Sequence, residues 1–170
     1  MEEFRRLYET VYQDLYRLAY YYLGDAADAE DAVQETALAA WKHFNGLRKK
    51  ESFRAWIFQI LVNVCRKMQR ERARRRTFSS ELRKDEEPGT GMERNPNLAE
   101  RLELLELLAG LDEEERVIVL LTVFGGYKGE EIARILRRRH STVRSRYRRA
   151  LKKLEGELRE KTEGRKEESL

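Results

Sequence analysis

Residues 137–149 read RRRHSTVRSRYRR, and within this run Arg144, Ser145, Arg148 and Arg149 fall away from the apolar positions Val143, Tyr147 and Leu151. On a helix that spacing gives one buried stripe and an opposite face able to enter a DNA major groove, where arginine can grip guanine edges with two hydrogen bonds and serine can meet phosphates. Ser141 or His140 can begin such a helix, and Arg137, Arg138 and Arg139 just before it suit steering and clamping of a phosphate backbone. A second basic run, Arg66, Lys67, Arg70, Arg72, Arg74, Arg75 and Arg76, follows Phe53, Trp56 and Phe58. Aromatic rings beside a cationic track are what single-stranded DNA needs, because bases stack while phosphates pair with arginine. From composition alone, Phe53 and Trp56 are more often core residues than base contacts, and either basic run taken singly serves as well as a solvated helix face.

The elements that must carry these residues follow from apolar periodicity. Phe4, Leu7, Tyr8, Val11, Tyr12, Leu15, Leu18, Ala19 and Tyr22 predict a first helix ending near Gly24. Ala32, Val33, Thr36, Ala37, Ala40, Trp41 and Phe44 predict a second that starts around Asp28 with acidic residues in its first turn and stops at Gly46. Ser52 is a candidate cap for a third, with Phe53, Trp56, Ile57, Ile60, Leu61, Val64 and Met68 inward, and the three helices are expected to close around the two tryptophans. Periodicity then lapses through 77–97, which holds both prolines and many charges, the composition of a flexible linker. Leucine spacing returns from Leu98 to Leu111 and again over 117–124, followed by helices at about 128–137 and 141–160 that form a helix-turn-helix. The expected organisation is therefore all-α: a helical domain over 1–76, a linker over 77–97, a second helical domain over 98–160, and a frayed tail over 161–170.

Charge supports this division. The chain's net charge of +4 conceals blocks of −5 over 1–46, +9 over 47–76, −8 over 77–115, +10 over 116–154 and −2 over 155–170. Two basic blocks of that density imply nucleic acid and a binding strength that falls steeply with salt. Cys65, the single cysteine, lies on an apolar helix face, so no disulfide can form within the chain, and a reducing cytoplasm is the simplest setting. No apolar stretch reaches membrane-spanning length and MEEFRRLYET lacks a signal-peptide layout, so no membrane insertion is expected. His43 and His140 are the only histidines, neither in a ligand-like spacing, and no Gly-rich phosphate loop or nucleophile motif is present. No catalytic residue, metal or cofactor is expected.

Four blocks in order, 28-DAEDAVQETALAAWKHF-44, 53-FRAWIFQILVNVCRKMQR-70, 111-LDEEERVIVLL-121 and 130-EEIARILRRRHSTVRSRYRRALKKL-154, resemble a bacterial RNA polymerase sigma factor of the extracytoplasmic-function type. The resemblance implies a region 2-like bundle and a region 4-like helix-turn-helix, and a subunit that binds polymerase core, recognises the -10 and -35 promoter elements and directs initiation. Carried over, Asp31, Gln34, Glu35 and Lys42 correspond to the helix that docks on the clamp of the largest subunit, with the flap of the second-largest as a further contact. Asn45, Arg48, Lys49, Lys50 and Ser52 fall in the loop that captures a flipped -10 base. Trp56, Asn63, Arg66, Lys67 and Arg70 correspond to the helix beside that strand. Arg137, Arg138, Arg139, Ser141, Thr142, Arg144, Ser145, Arg148 and Arg149 correspond to the -35 reader. Extruding a base costs roughly a few kcal/mol, which a pocket and phosphate contacts offset, so melted single strand as well as duplex promoter is an expected ligand.

The chain departs from the family pattern at three places. Ser141 stands where Gly usually precedes the Thr, Thr122 where a basic -35 contact is frequent, and Gly129 where an aromatic is common, which bears on -35 preference more than on DNA binding. The linker and the acidic 77–115 segment between two basic domains add the expectation of an inhibitory anti-sigma partner around which the idle domains close. Two other readings compete. A dimeric helix-turn-helix regulator would leave the 31–44 helix and the first basic helix unexplained, and an enzyme would lack catalytic groups.

Overall fold

The computed structural model describes residues 1–79 and 97–168, with side chains over 1–76 and 97–167. Among the described residues all regular structure is helical, and the chain divides into two compact units at the Pro96–Asn97 boundary.

The first unit holds α1 (Glu2–Leu23), α2 (Ala26–His43) and α3 (Phe53–Ser79), each packed against the other two. α1 stops where expected: Gly24 takes the left-handed conformation, φ 76°, and donates its N–H to the Tyr20 carbonyl at 2.7 Å. α2 starts earlier than the acidic run indicated, because the Asp25 carboxylate accepts the Asp28 N–H at 2.8 Å and caps the helix inside the presumed turn. It ends in a tight 3-10 turn, Phe44–Gly46, and a second such turn, Lys50–Ser52, leads into α3. α3 runs to Ser79, three residues into the stretch expected as linker; 71–79 contain neither proline nor glycine and are rich in Arg, so nothing there ends a helix. The rest of that stretch, 80–96, lies outside the described residues.

The core differs from the expected one in what fills it. Leu15, Leu18, Tyr22, Ile57, Phe58 and Leu61 are fully buried, whereas Trp41 is 41 % exposed and Trp56 only half-buried. The tryptophans are displaced because Phe4, Phe44 and Phe53 already meet edge to face at one end of the bundle, with centroids 5.2–5.9 Å apart. Trp41 can only lay its ring against Phe4, at 5.3 Å. Tyr12, placed on the buried stripe by its four-residue spacing, is exposed, since each step of four overshoots a full turn by about 40°. Cys65 is buried, and desolvation pushes its thiol up to about 12.

The second unit holds α4 (Leu98–Ala109), α5 (Glu113–Val123), α6 (Gly129–Leu136) and α7 (His140–Glu168). Asp112 and Glu115 cap α5 reciprocally: the Asp112 carboxylate accepts the Glu115 N–H at 2.8 Å, and the Glu115 carboxylate accepts the Asp112 N–H at 3.2 Å. The following turn requires glycine at 125, where a Cβ would lie 2.5 Å from the Leu121 carbonyl and from the Tyr127 ring. α6 and α7 form the expected helix-turn-helix, packing through Ile132, Ala133, Ile135, Leu136, Val143 and Ala150. Two expectations about α7 fail. The supposed tail is helical through Glu168, with Lys161 and Arg165 bonded to Glu106 and Glu103 of α4. Leu151, expected to pack, is 45 % exposed, because it follows buried Ala150 and so points about 100° away from it.

Candidate nucleic-acid and partner interfaces

α2 turns one face into the bundle through Ala29, Ala32, Val33, Thr36 and Ala40. Asp31, Gln34, Glu35 and Lys42 are all exposed on the other side. Leu38, one turn from Gln34 and one from Lys42, is 62 % exposed between them. It gives this polar face an apolar centre, and its only sequence signal was a leucine at a position the buried stripe skips.

On α3, Trp56, Asn63, Lys67 and Arg70 lie within about 60° of one another around the helix and span roughly 21 Å of its length, with Arg66 at one edge. Asn63, Lys67 and Arg70 are exposed, and Arg66 and Trp56 half-buried. Phe53 and Phe58, buried at 2 % and 0 %, are withdrawn from any stacking role; Phe53 instead supports the Trp56 ring at 6.0 Å. Arg72 also leaves the track, donating to the Leu23 carbonyl at 3.0 Å and pairing with Asp28 at 3.4 Å, where it closes the end of α1. In the 45–52 segment Asn45, Arg48, Lys49 and Ser52 are exposed, while the Lys50 ammonium sits 3.6 Å from the Phe44 ring centroid and 3.7 Å from Glu3. The two candidate sets of this unit meet: Lys67 pairs with Glu35 at 3.2 Å, both side chains about half exposed.

In the second unit Ser141, Arg144, Ser145 and Arg148 are exposed opposite buried Val143 and Ala150. Lys152, absent from the sequence-based set, extends this row one turn beyond Arg148. Arg149 is exposed at the flank, Thr142 is half-buried, and the Ser145 hydroxyl donates to the Thr142 carbonyl at 3.0 Å. Arg137, Arg138 and Arg139 are all exposed, and Arg138 Nε in addition lies 2.5 Å from Glu114 Oε1. Glu114 Oε2 also takes Arg146 at 3.1 Å, Asp112 adds a contact to Arg146 at 3.5 Å, and fully buried Glu115 holds Lys153 at 2.8 Å.

Two of the three departures from the family pattern, Thr122 and Gly129, have definite local surroundings. Thr122 returns its hydroxyl to the Ile118 carbonyl at 2.8 Å, and a Cβ on Gly129 would lie 3.0 Å from the His140 imidazole, so this histidine covers the space an aromatic at 129 would use.

The comparisons agree with this layout. Sigma-70 region 2 matches residues 7–75 and sigma-70 region 4 matches 101–154, one in each unit. The ECF RNA polymerase sigma factor SigL of Mycobacterium tuberculosis is 32 % identical over 161 residues, covering 92 % of this chain and 89 % of SigL. Among solved structures, the sigma factor RpoE in complex with the anti-sigma factor NepR from Bartonella quintana superposes with a TM-score of 0.77 at 24 % identity, over 94 % of this chain and 98 % of that one. CnrH in complex with the cytosolic domain of CnrY gives 0.68 at 28 % identity, over 91 % and 86 %. With two matched regions in order, one on each helical unit, and a relative of nearly full length, the chain belongs to the RNA polymerase sigma factors of the extracytoplasmic-function type, the promoter-specificity subunits that bind polymerase core and direct initiation.

Proposed function

We propose that the α2 face of Asp31, Gln34, Glu35, Leu38 and Lys42 docks on the clamp of the largest polymerase subunit, with the apolar Leu38 at its centre. The 45–52 segment and the α3 row Trp56, Asn63, Arg66, Lys67 and Arg70 hold the melted -10 strand. The α7 row Ser141, Arg144, Ser145, Arg148 and Lys152, flanked by Arg137, Arg139 and Arg149, reads the -35 duplex. Residues 80–96 connect the two units that carry these tasks. Sigma factors are non-enzymatic, and we assign this chain no catalytic activity: promoter opening is bound, not catalysed. Its place of action is the cytoplasm, with the polymerase; among the described residues no helix is long and apolar enough to cross a membrane. An anti-sigma protein that covers one or both units is the expected inhibitor, in analogy with NepR on RpoE and CnrY on CnrH.

The observation that carries these assignments is the adjacency of α2 and α3: Glu35 and Lys67 touch, so a strand laid along α3 runs beside the surface assigned to polymerase. The test is run-off transcription with purified core on a library of promoter fragments. Gln34→Ala/Glu35→Ala is expected to abolish core-dependent initiation, and Arg144→Ala/Arg148→Ala to weaken it in proportion to the upstream element. Duplex binding without any core-dependent initiation would overturn the assignments and favour a simple DNA-binding regulator.

A further inference from the structure

We propose that Glu114 is a positioning residue for upstream-element recognition: one carboxylate on α5 grips both the turn of the helix-turn-helix and the reading helix, setting which arginines of the unit face DNA. The inference rests on the reading that α7 binds promoter duplex. Its basis is the division of labour among the basic residues. The 116–154 block carries a net charge of +10, and a surface so basic binds any duplex through its phosphates, so sequence preference depends on which cations are withheld as well as on which are offered. Glu114 is only 16 % exposed, and its two oxygens hold different elements, Oε1 the Arg138 Nε at 2.5 Å and Oε2 the Arg146 Nε at 3.1 Å.

Arg146 lies on the buried side of α7 near Val143 and Ala150, about 200° around the helix from Arg148. Pinning Arg146 therefore fixes the rotation of α7 about its axis and with it the outward aim of Arg144 and Arg148, the residues that would reach base edges. Arg138 pins the other end of the same rotation. It follows Arg137, the one non-glycine residue with positive φ among the described residues (φ 52°, ψ 48°), a conformation that costs energy for a side chain with a Cβ and persists only when its surroundings hold it. The turn most in need of restraint is the one Glu114 restrains. Asp112 and Glu115, on Arg146 and Lys153, extend the same device along α7.

The test uses holoenzyme assembled from core polymerase and the full chain, with a promoter library randomised across the upstream element and sequenced after binding. Glu114→Gln keeps the shape of the side chain but removes its charge; Glu130→Gln removes one charge from an exposed glutamate of α6. The expected result for Glu114→Gln is a flatter base-preference profile, with the ratio of best to average sequence falling on the order of tenfold, the worth of one good base contact. Binding to scrambled duplex should become steeper in salt by about one charge as exposed Arg138 is freed to reach a phosphate. Glu130→Gln should leave the profile as in the wild type.

A uniform gain in affinity in both variants, with the profile intact, would overturn the proposal, since Glu114 would then act only as a negative charge. Arg138→Gln supplies an independent check on an exposed residue: added to Glu114→Gln it should flatten the profile no further, whereas additive effects would show two unrelated contacts and overturn the single-grip mechanism. If Arg144→Ala/Arg148→Ala kept the wild-type profile, the reading of α7 itself would fall, an outcome distinct from a failure of Glu114 alone.

Discussion

Two basic surfaces of nearly equal charge, +9 over 47–76 and +10 over 116–154, differ in where their carboxylate partners sit. In the first unit Lys50, Arg54 and Arg72 pair with Glu3, Asp14 and Asp28, but on the outward α3 row Arg66 and Arg70 meet no carboxylate among the described residues and Lys67 has only an exposed pair to Glu35. In the second, Arg138, Arg146 and Lys153 pair with Asp112, Glu114 and Glu115, and two of these carboxylates, Glu114 and Glu115, are largely or fully buried beside the helix-turn-helix. The cores differ in the same sense: aromatic rings meeting edge to face in the first, tightly packed aliphatic side chains of α5 and α6 in the second. A melted strand is flexible and can conform to loosely held cations, whereas a duplex presents fixed groove edges that only a helix of fixed rotation can read. On the proposed assignments, the number of cations marks nucleic acid, and the placement of their carboxylate partners separates a strand-binding surface from a duplex-reading one.

The largest effect is expected from breaking the aromatic side of the comparison. Phe58 is fully buried in the first unit, so Phe58→Ala should destabilise that unit by about 3–5 kcal/mol. Cys65 reports the result without a probe being added: its buried thiol, held protonated with a pKa of about 12, should react with a thiol reagent only when this unit opens. Labelling accelerated by orders of magnitude while the second unit's helicity melts at its usual temperature would show two independent units. Unchanged labelling would mean that the aromatic core is not what holds the first unit together. Because the folded pKa lies above the unfolded one, the thiol's contribution to stability is full below about pH 9 and is lost as pH rises toward 12.

The next effect tests the restrained side. Glu115 is fully buried, closes the α5 cap and holds Lys153, so Glu115→Ala should cost the second unit about 2 kcal/mol in thermal or urea unfolding. Lys153→Met should cost less, since 44 % of that side chain already lies in solvent and the cap survives. Equal costs for the two variants would show that the ion pair, not the cap, carries the stabilisation.

Helix existence and order were legible in the sequence because they depend on local periodicity, and so was the outward set on α2, which is the complement of a clear buried stripe. The restraint of the cations was not. Glu114 and Arg138 are 24 residues apart and Glu35 and Lys67 are 32 apart, and nothing in local spacing tells which carboxylate meets which arginine. The tryptophans misled for a related reason: composition says they belong inside, but three phenylalanines from three elements had already filled the place. The helical end of α7 was hidden because its apolar stripe gives way to Lys161 and Arg165, whose partners lie on α4, 55 and 62 residues away.

A smaller effect sharpens the single-strand side. Trp56 is half-buried and faces along the Asn63–Arg70 row, so Trp56→Ala should weaken holoenzyme binding to a single-stranded -10 oligonucleotide by about 1–3 kcal/mol, the worth of one stacked base. Trp56→Phe should recover most of it. A loss of folding stability as large as the loss of binding would make Trp56 a core residue after all.

The smallest effect lies where the two arrangements are most alike. Glu35 restrains Lys67 by a single exposed pair at 3.2 Å, worth at most about 1 kcal/mol and screened by salt. Polymerase docking on α2 would engage Glu35, and Lys67 would then be released toward the strand, so core binding and strand binding should favour each other weakly. Glu35→Gln should therefore raise the affinity of the isolated chain for the -10 oligonucleotide by up to about fivefold at low salt, with the gain vanishing near 0.5 M salt. In holoenzyme the same substitution should leave strand affinity unchanged, because the pair is already open there. A gain of equal size in both settings would mean that Glu35 merely repels phosphate, and that the outward α3 row, unlike the helix-turn-helix, has no restraint on its cations.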